Sequence, residues 1–355
     1  MTTDFLVIGG GIAGVSAAAE LSGLGSLRLI EAEAQPAYHA SGRSAALYEP
    51  FYGPAPIVTL SLASGEGLRE AGVLSPRGVM LVAGPEDHAA FAAEAQDMQM
   101  EQITTDAAVA AFPALDPARL AWAAMGTLAQ DIDTDLLIQS YLRAARSRGA
   151  VTDFSAPATQ IRREDGMWQV TTPKGCFGAR ILVNAAGAWA DQVAIMAGVA
   201  PKGIVPHRRS MARIPAPEGL DVSGWPMLLG VGESFYAKPD AGALIVSPAD
   251  AEPTTPHDAW ADDMVLAQGL ARYEALTRFP VQRMLANWAG LRSFAPDGAP
   301  VYGRDPNRRD FIWFAGQGGY GFQSSVAAAR FIADIAAERP TDPELTRQID
   351  PARFG

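Results

Sequence analysis

Three glycines near the start of the chain have the spacing of a phosphate-binding turn. Gly9, Gly11 and Gly14 follow the short apolar stretch 4–8 and precede an alanine-rich segment. In such a turn the first glycine permits a tight bend, the second lets the backbone approach a pyrophosphate, and the third lets helix and strand pack closely. The following helix would offer free N–H groups and a positive dipole end to the phosphates.

The segments around these glycines predict a strand, a helix and a second strand. The second apolar strand, residues 27–30, ends at Glu31. A carboxylate at this position can accept hydrogen bonds from ribose hydroxyls, and its charge disfavours a 2′-phosphate. We therefore predict an adenine dinucleotide site. The alternative is a structural βαβ unit whose crevice binds nothing.

Two later segments repeat the pattern of an apolar strand that ends in a glycine-rich turn. Strand 179–183 leads into residues 184–189, and strand 311–315 leads into residues 316–321. In an open parallel sheet the carboxyl ends of the strands line one crevice, so three such turns can face one extended ligand. Residues 35–46 are small and polar, which suits backbone under a flat ligand, and Arg43 could face a pyrophosphate.

Composition limits the class of protein. The chain has 355 residues and can bury a full core, which favours two domains. Its net charge of −11 argues against nucleic acid as a partner. The single Cys176 excludes an internal disulfide and a multi-cysteine metal site, and the four histidines form no recognisable constellation, so we expect no metal. Without a signal-peptide pattern or a long apolar run, we expect a soluble, cytoplasmic protein with no membrane span.

Periodicity and punctuation predict the remaining elements. Helices are expected near residues 57–71, 87–99, 135–148, 264–279 and 324–338, and strands near 78–82, 160–163, 168–172, 179–183 and 311–315. Proline-rich alternating segments between residues 201 and 257 indicate an antiparallel sheet. The acids at the start of helix 135–148 are expected to cap it rather than to catalyse a reaction.

Several segments together resemble the FAD-dependent D-amino-acid oxidase and glycine oxidase superfamily. They are residues 4–49, 183–189, 288–292, 296–298 and 318–321. Within it the chain looks most like the bacterial D-arginine dehydrogenase group, through residues 38–46, 131–135, 208–210 and 233–242. The likeness covers nearly the whole chain.

This resemblance implies an α/β fold with two domains. A Rossmann-like FAD-binding domain would comprise residues 1–50, 131–200 and 288–355. A discontinuous α+β substrate domain, built on an antiparallel sheet, would comprise residues 51–130 and 201–287.

The resemblance also implies the residues that contact the flavin. They are Gly9, Gly11, Gly14, Glu31, Ser41, Arg43, Ser44, Ala45, Ala46, Gly187, Trp189, Gly318, Tyr320, Gly321, Phe322, Gln323 and Ser324. Some relatives attach the flavin through a cysteine in the substrate region. Cys176 does not occupy such a position, so we expect non-covalent FAD.

On the substrate side, Arg209 and Arg292 match two family arginines that hold a carboxylate, and planar guanidinium groups suit that task. Tyr236 would add a hydroxyl hydrogen bond, Tyr52 would lie on the mobile loop that closes the pocket, and the carbonyl of Gly319 would accept from the substrate amine. Two alternatives are open. Arg292 could form an interdomain ion pair, and the neighbouring Arg208 could replace Arg209.

The chain departs from the D-arginine pattern in the side-chain pocket, which we assign to Leu47, Glu49, Val79 and Met227. Val79 stands where that group has an acid for the substrate guanidinium, and Leu47 stands where it has a histidine. An aliphatic group cannot neutralise a buried cation. We therefore expect neutral or apolar substrates, although Glu49 could restore a preference for basic ones.

The predicted reaction is oxidative deamination of a D-amino acid to a 2-oxo acid and ammonia, by hydride transfer from Cα to flavin N5. The cofactor carries the hard step and the protein supplies orientation and electrostatics. The first alternative is oxidation of glycine, sarcosine or another secondary amine on the same scaffold. An NAD-linked reductase and a non-enzymatic nucleotide-binding subunit are further alternatives. Oxygen or a quinone-like compound could be the electron acceptor.

Overall fold

The computed structural model describes residues 2–354. The strands, in chain order, are β1 Thr2–Ile8, β2 Leu27–Ile30, β3 Leu47–Tyr48, β4 Leu74–Pro76, β5 Val79–Ala83, β6 Glu101–Ile103, β7 Trp122–Gly126, β8 Gln130–Ile132, β9 Val151–Asp153, β10 Gln160–Glu164, β11 Met167–Thr172, β12 Gly175–Asn184, β13 Val205–Pro215, β14 Met227–Gly230, β15 Tyr236–Asp240, β16 Ala243–Ser247, β17 Glu252–Pro253, β18 Ala286–Phe294, β19 Val301–Asp305 and β20 Arg308–Ala315.

The helices are α1 Ile12–Leu21, α2 Ala55–Glu70, α3 His88–Asp97, α4 Thr105–Ala111, α5 Thr134–Ser147, α6 Ala190–Met196, α7 Asp263–Leu276, α8 Ser325–Ala336 and α9 Pro343–Ile349. The predicted longer helices correspond to α2, α3, α5, α7 and α8, with ends that differ by no more than three residues. The short helices α4 and α9 were not predicted. Within residues 2–354, no helix has both the length and the apolar character needed to cross a membrane.

The first sheet has the order β10-β11-β12-β1-β2-β9, and β20 joins the far end of β12. Its centre is parallel, and β1 pairs with both β12 and β2. Side chains of β1 alternate between two cores: Val7 packs toward α1, α5 and α8, while Leu6 and Ile8 pack on the opposite face. Both faces are covered, which explains why these strands are continuous apolar runs rather than alternating ones. The predicted α/β fold with a Rossmann-like domain is confirmed.

The second sheet has the order β17-β13-β16-β15-β14-β5-β7-β6, with β18 also paired to β13. It is antiparallel except where β14 runs parallel to β5. Strand β18 pairs with β13 over nine positions, from Val205↔Phe294 to Arg213↔Ala286. The domain boundary predicted at residue 288 falls inside β18, whose whole length is hydrogen-bonded into the antiparallel sheet. The division of the chain into two domains stays a prediction. A small third sheet, β3-β8-β4, shares no strand pairing with these two.

Two glycines of the N-terminal turn are required by backbone geometry. Gly9 has a φ of +113°, and a Cβ there would overlap the carbonyl oxygen of Ala185. A Cβ at Gly14 would overlap the carbonyl oxygen of Gly9, so α1 packs against the turn only without a side chain. At the start of α1, the N–H of Ile12 donates to Ser41 Oγ at 3.0 Å. These contacts give the physical reason for the glycine spacing.

The acids before α5 have different roles. Asp133 caps the helix as expected, since its side chain accepts from the N–H of Leu136 at 2.8 Å. Asp131 is not a cap. It forms ion pairs with Arg77 at 2.6 Å and with Lys238 at 2.9 Å.

Candidate active site

Two adjoining cavities run along the carboxyl ends of the parallel strands. The inter-sheet cavity, about 190 Å³, is lined by the glycine-rich turns of the first sheet and by strands of the second. The Glu31 cavity, about 400 Å³, surrounds Glu31 and Trp189. Both are lined by Gly11, Ser41 and Gly187, so together they form one extended crevice. Such a crevice, at a helix N-terminus and next to a glycine turn, fits a dinucleotide.

The structure brings most of the predicted flavin contacts to this crevice. The predicted flavin contacts that line the inter-sheet cavity are Gly11, Ser41, Arg43, Ser44, Ala45, Ala46, Gly187, Gly318, Gly321, Phe322 and Gln323. Gly9, Glu31 and Trp189 line the Glu31 cavity. The carboxylate of Glu31 accepts from the N–H of Gly10 and from the N–H of Glu33 at 2.8 Å, which holds it at the end of β2.

Three predicted contacts lie outside both linings of the described chain: Gly14, Tyr320 and Ser324. Gly14 packs against Gly9. The hydroxyl of buried Ser324 donates to the carbonyl of Tyr320 at 2.8 Å, which shapes the turn before α8. Gly14 and Ser324 therefore support the turns. The ring of Tyr320 packs against that of Tyr52, with centroids 5.4 Å apart, and so lies next to the inter-sheet cavity.

Arg43 lines the inter-sheet cavity, but its guanidinium group binds other parts of the protein. The guanidinium donates to the carbonyls of Ala259 at 2.7 Å and Ala289 at 3.0 Å, and it pairs with Asp258. The expectation that Arg43 faces a pyrophosphate is therefore not met. Its side chain instead fastens the segment after β2 to the second sheet, because these carbonyls and this carboxylate satisfy its donors.

The register of β13 and β18 places two arginines on one face. Arg209 lies opposite Gly290, and Arg292 lies opposite His207. Directly opposed residues share a face and diagonal neighbours are about 7–8 Å apart at Cα, so Arg209 and Arg292 lie near each other and both line the inter-sheet cavity. Arg208, on the other face, pairs with Asp250 at 3.6 Å and with Glu252. The alternative that Arg208 replaces Arg209 is wrong in this structure.

The two guanidinium groups differ in what they already bind. Arg209 Nη2 lies 3.3 Å from Glu233 Oε2, whereas its buried Nε has no hydrogen-bond partner within residues 2–354. For Arg292, no carboxylate of the described chain lies within 4.0 Å, so the interdomain ion pair considered for it is not formed. A Cβ at Gly319 would stand 2.8 Å from Cζ of Arg292, so the glycine turn lies directly against this guanidinium.

The two tyrosines assigned to the substrate site both reach the inter-sheet cavity. The hydroxyl of Tyr236 is buried and has no partner in the part of the chain that the structure describes. The hydroxyl of Tyr52 donates to Glu233 Oε1 at 2.7 Å. Both tyrosines therefore have a polar atom at the place where we expect a substrate carboxylate.

Glu233 joins Tyr52 to Arg209 and was missed at the sequence level. It lies in the short 3₁₀ turn Val231–Glu233 with a φ of +51°. Burial opposes its ionisation, but the hydrogen bond from Tyr52 and the charges of Arg209 and Arg292 outweigh burial and lower its pKa. The available signal was that Glu233 begins segment 233–242, one of the segments that carry the family resemblance.

The rest of the inter-sheet cavity is largely apolar. The predicted residues Leu47, Val79 and Met227 line it, together with Met98, Met211 and Leu229, which were not predicted. Met211 lies two residues after Arg209 on β13 and Leu229 two residues after Met227 on β14, so strand alternation pointed to both. Met98 follows α3 and has no such predicted neighbour.

Glu49 is the unusual acid of this cavity. It is 3% exposed, its carboxylate accepts from the N–H of Phe51 at 3.3 Å, and no cation within residues 2–354 forms an ion pair with it. Burial raises the pKa of Glu49 to about 7, and the Phe51 hydrogen bond opposes that rise. This carboxyl with a raised pKa lies beside the apolar wall of the cavity.

We expect the flavin to be bound without a covalent bond. Cys176 is exposed at the beginning of β12 and lines neither cavity of the described chain. Acid precipitation of the yellow protein should release all of the chromophore into the supernatant. Colour that stays in the pellet would contradict the non-covalent assignment.

Comparison with known proteins agrees with a dinucleotide site in this crevice. A family described as "DAO: FAD dependent oxidoreductase" matches residues 4–335. Human mitochondrial dimethylglycine dehydrogenase is 26% identical over 245 residues, which is 63% of this chain and 28% of that protein. Glycine oxidase of Geobacillus kaustophilus is 26% identical over 207 residues, 57% of this chain and 52% of that protein. The chain thus spans less than a third of the first of these relatives.

Solved structures show the same architecture. The crystal structure of Geobacillus kaustophilus glycine oxidase superposes with a TM-score of 0.83 at 23% identity, covering 98% of each chain. L-proline dehydrogenase from P. horikoshii superposes with a TM-score of 0.84 at 21% identity, covering 99% of this chain and 98% of that one. With its glycine turns, its crevice and a family match over most of its length, the chain belongs to the DAO family of FAD-dependent oxidoreductases.

Proposed function

We propose that this protein oxidises D-amino acids with neutral or apolar side chains to 2-oxo acids and ammonia. The main support is Arg292, a cation in the inter-sheet cavity that no carboxylate of residues 2–354 approaches within 4.0 Å. Arg209 and Tyr236 line the same cavity, and the buried Arg209 Nε and Tyr236 hydroxyl have no hydrogen-bond partner within residues 2–354. A substrate carboxylate can satisfy all three groups, because guanidinium and hydroxyl donors favour it.

The site residues act by orientation. With the carboxylate on Arg209 and Arg292, we assign the amine to the carbonyl of Gly319, a residue that packs closely against the Arg292 guanidinium. The substrate reacts as the neutral amine, whose lone pair assists the departure of the Cα hydrogen. When bound, FAD accepts that hydride. The imino acid that remains is released, and water hydrolyses it to the 2-oxo acid and ammonia.

Substrate choice should follow the cavity wall. Val79 is fully buried and Leu47 and Met227 lie near it, so an aliphatic side chain gains about 25 cal/mol for each Å² that it buries. A guanidinium or ammonium group would need a partner there. Besides Glu233, which pairs with Arg209, two acids line this cavity. They are Glu49 and Glu94, and Glu94 accepts from the N–H of Gly232 at 2.8 Å.

We expect higher kcat/KM for D-methionine, D-leucine and D-phenylalanine than for D-arginine and D-lysine. Steady-state rates with oxygen and with an artificial acceptor, on D- and L-enantiomers, would test this and would separate oxidase from dehydrogenase behaviour. The highest kcat/KM for D-arginine would contradict the argument from Val79. In that case Glu49→Gln and Glu94→Gln, compared with each other, would identify the acid that holds the cation.

A second candidate is oxidation of glycine, sarcosine or another secondary amine. It is favoured by the names of two relatives, dimethylglycine dehydrogenase and glycine oxidase. A carboxylate clamp at Arg209 and Arg292 would serve those substrates equally well. Turnover of N-methylated glycines without turnover of D-enantiomers would select this candidate.

A further inference from the structure

Lys238 is a buried cation beneath the backbone of the inter-sheet cavity. It lies on β15 two residues after Tyr236, so the two side chains extend from the same face of the strand. Its Nζ donates to the carbonyls of Ala45 at 2.7 Å and Ala46 at 2.8 Å. Lys238 itself is absent from the cavity lining of the described chain, whereas both alanines line it.

A chain of ion pairs fixes the ammonium group. Nζ lies 2.9 Å from Asp131 Oδ1, and Asp131 also accepts from Arg77 Nε at 2.7 Å. Arg77 donates in turn to the carbonyls of Ser223 at 2.7 Å and Trp225 at 2.9 Å. Burial lowers the pKa of Lys238, and the charge of Asp131 opposes that. The ammonium therefore contacts three oxygens, those of Ala45, Ala46 and Asp131. It is held there by β15, which carries Lys238, and by β8, which carries Asp131.

We propose that Lys238 is a positioning residue for the flavin, which sets the peptide planes of residues 45–47. In a planar trans peptide the N–H points away from the carbonyl, so fixing the carbonyls of Ala45 and Ala46 also fixes the N–H groups of Ala46 and Leu47. The N–H of Ala46 meets Ser44 Oγ at 3.1 Å, which adds a second restraint. The segment Ser44 to Leu47 lines the cavity, so its peptide orientation determines the surface that the flavin meets.

The inference depends on FAD binding and not on the amino acid that is oxidised. Removal of the ammonium would leave the carbonyls of Ala45 and Ala46 without their buried donor, while Asp131 would keep Arg77. The two peptides would then rotate to find other partners. A misplaced peptide plane would weaken flavin binding and change the polarity around the ring system. The affinity and the spectrum of the flavin should therefore respond together.

The test uses Lys238→Met, Lys238→Arg and the control Arg213→Met. Arg213 pairs with Asp240 at 2.8 Å on the same sheet and lines neither cavity among the described residues. The FAD dissociation constant of the apoprotein, the visible flavin spectrum and the flavin reduction potential would be measured. We expect Lys238→Met to raise the FAD dissociation constant at least tenfold and to shift the flavin absorption band. Both quantities for Lys238→Arg should lie between those of Lys238→Met and the unchanged protein. Arg213→Met should alter neither quantity.

A purely structural lysine would give a different result. Lys238→Met would then lower the thermal midpoint of the apoprotein while the FAD dissociation constant, the spectrum and the potential stayed unchanged, and that outcome would overturn the proposal. If Lys238→Met does not fold, Lys238→Arg decides. A changed affinity and spectrum at unchanged apoprotein stability support the positioning role, and an unchanged affinity and spectrum refute it.

Discussion

Arg292→Met is expected to lower kcat/KM for the preferred amino acid by roughly 30-fold to several thousand-fold, with flavin content near that of the unchanged protein. Loss of one member of a buried, charge-assisted pair costs about 2–5 kcal/mol, and each 1.4 kcal/mol corresponds to a factor of ten. Methionine keeps much of the side-chain volume, so the loss reports the charge. Steady-state kinetics and the flavin-to-protein absorbance ratio measure both quantities.

Arg208→Met is the matched control for this experiment. It removes a guanidinium from the same strand pair, but on the face that binds Asp250 and Glu252. We expect kcat/KM to stay within a small factor of the unchanged value. If Arg292→Met retained full kcat/KM with intact flavin, the substrate carboxylate would have to lie elsewhere in the crevice.

Glu49→Gln is expected to stabilise the protein above neutral pH and to flatten its stability profile. Folding raises the pKa of Glu49 from 4.5 to about 7, so the folded state binds this proton more tightly than the unfolded chain. The free energy of unfolding therefore falls as pH rises from about 4.5 to about 7, by about 3 kcal/mol for this group. Glutamine keeps the shape without the charge, and this decrease should disappear.

Thermal or urea unfolding of the holoprotein at pH 5 and pH 8 tests the Glu49 argument. The two proteins should differ most at pH 8 and little at pH 5, where the carboxyl of Glu49 is protonated. Glu344→Gln is the control, because Glu344 is exposed and pairs with Arg347 at 2.6 Å. A Glu49→Gln protein whose stability changed with pH as steeply as the unchanged chain would contradict the assigned burial of the charge.

The parts of the structure that depend on local pattern were predictable from sequence. The N-terminal glycine turn follows from φ and contact requirements at Gly9 and Gly14, which no other residue meets. The cap at Asp133 follows in the same way from the N–H groups that every helix start exposes. Such features need only neighbouring residues, and so the sequence displays them directly.

The choice between adjacent arginines could not be made in this way. Arg208 and Arg209 differ by one position, and a shift of one residue in the β13–β18 register exchanges the faces of both. Glu233 and Lys238 gain their contacts from residues far along the chain. Arg43 likewise binds carbonyls more than 200 residues away. Only the assembled sheets determine these contacts.

The pairing of β1 has a consequence for biosynthesis. Residues 5–8 pair with residues 181–184, and β12 pairs in turn with β20 near the other end of the chain. The glycine turn is synthesised well before Ala185, which contacts it, and before residues 317–323, which form another wall of the crevice. Distant pairings cost loop-closure entropy before their contacts repay it. The nucleotide crevice can therefore be completed only after residues 317–323 have left the ribosome, long after its glycine turn has been synthesised.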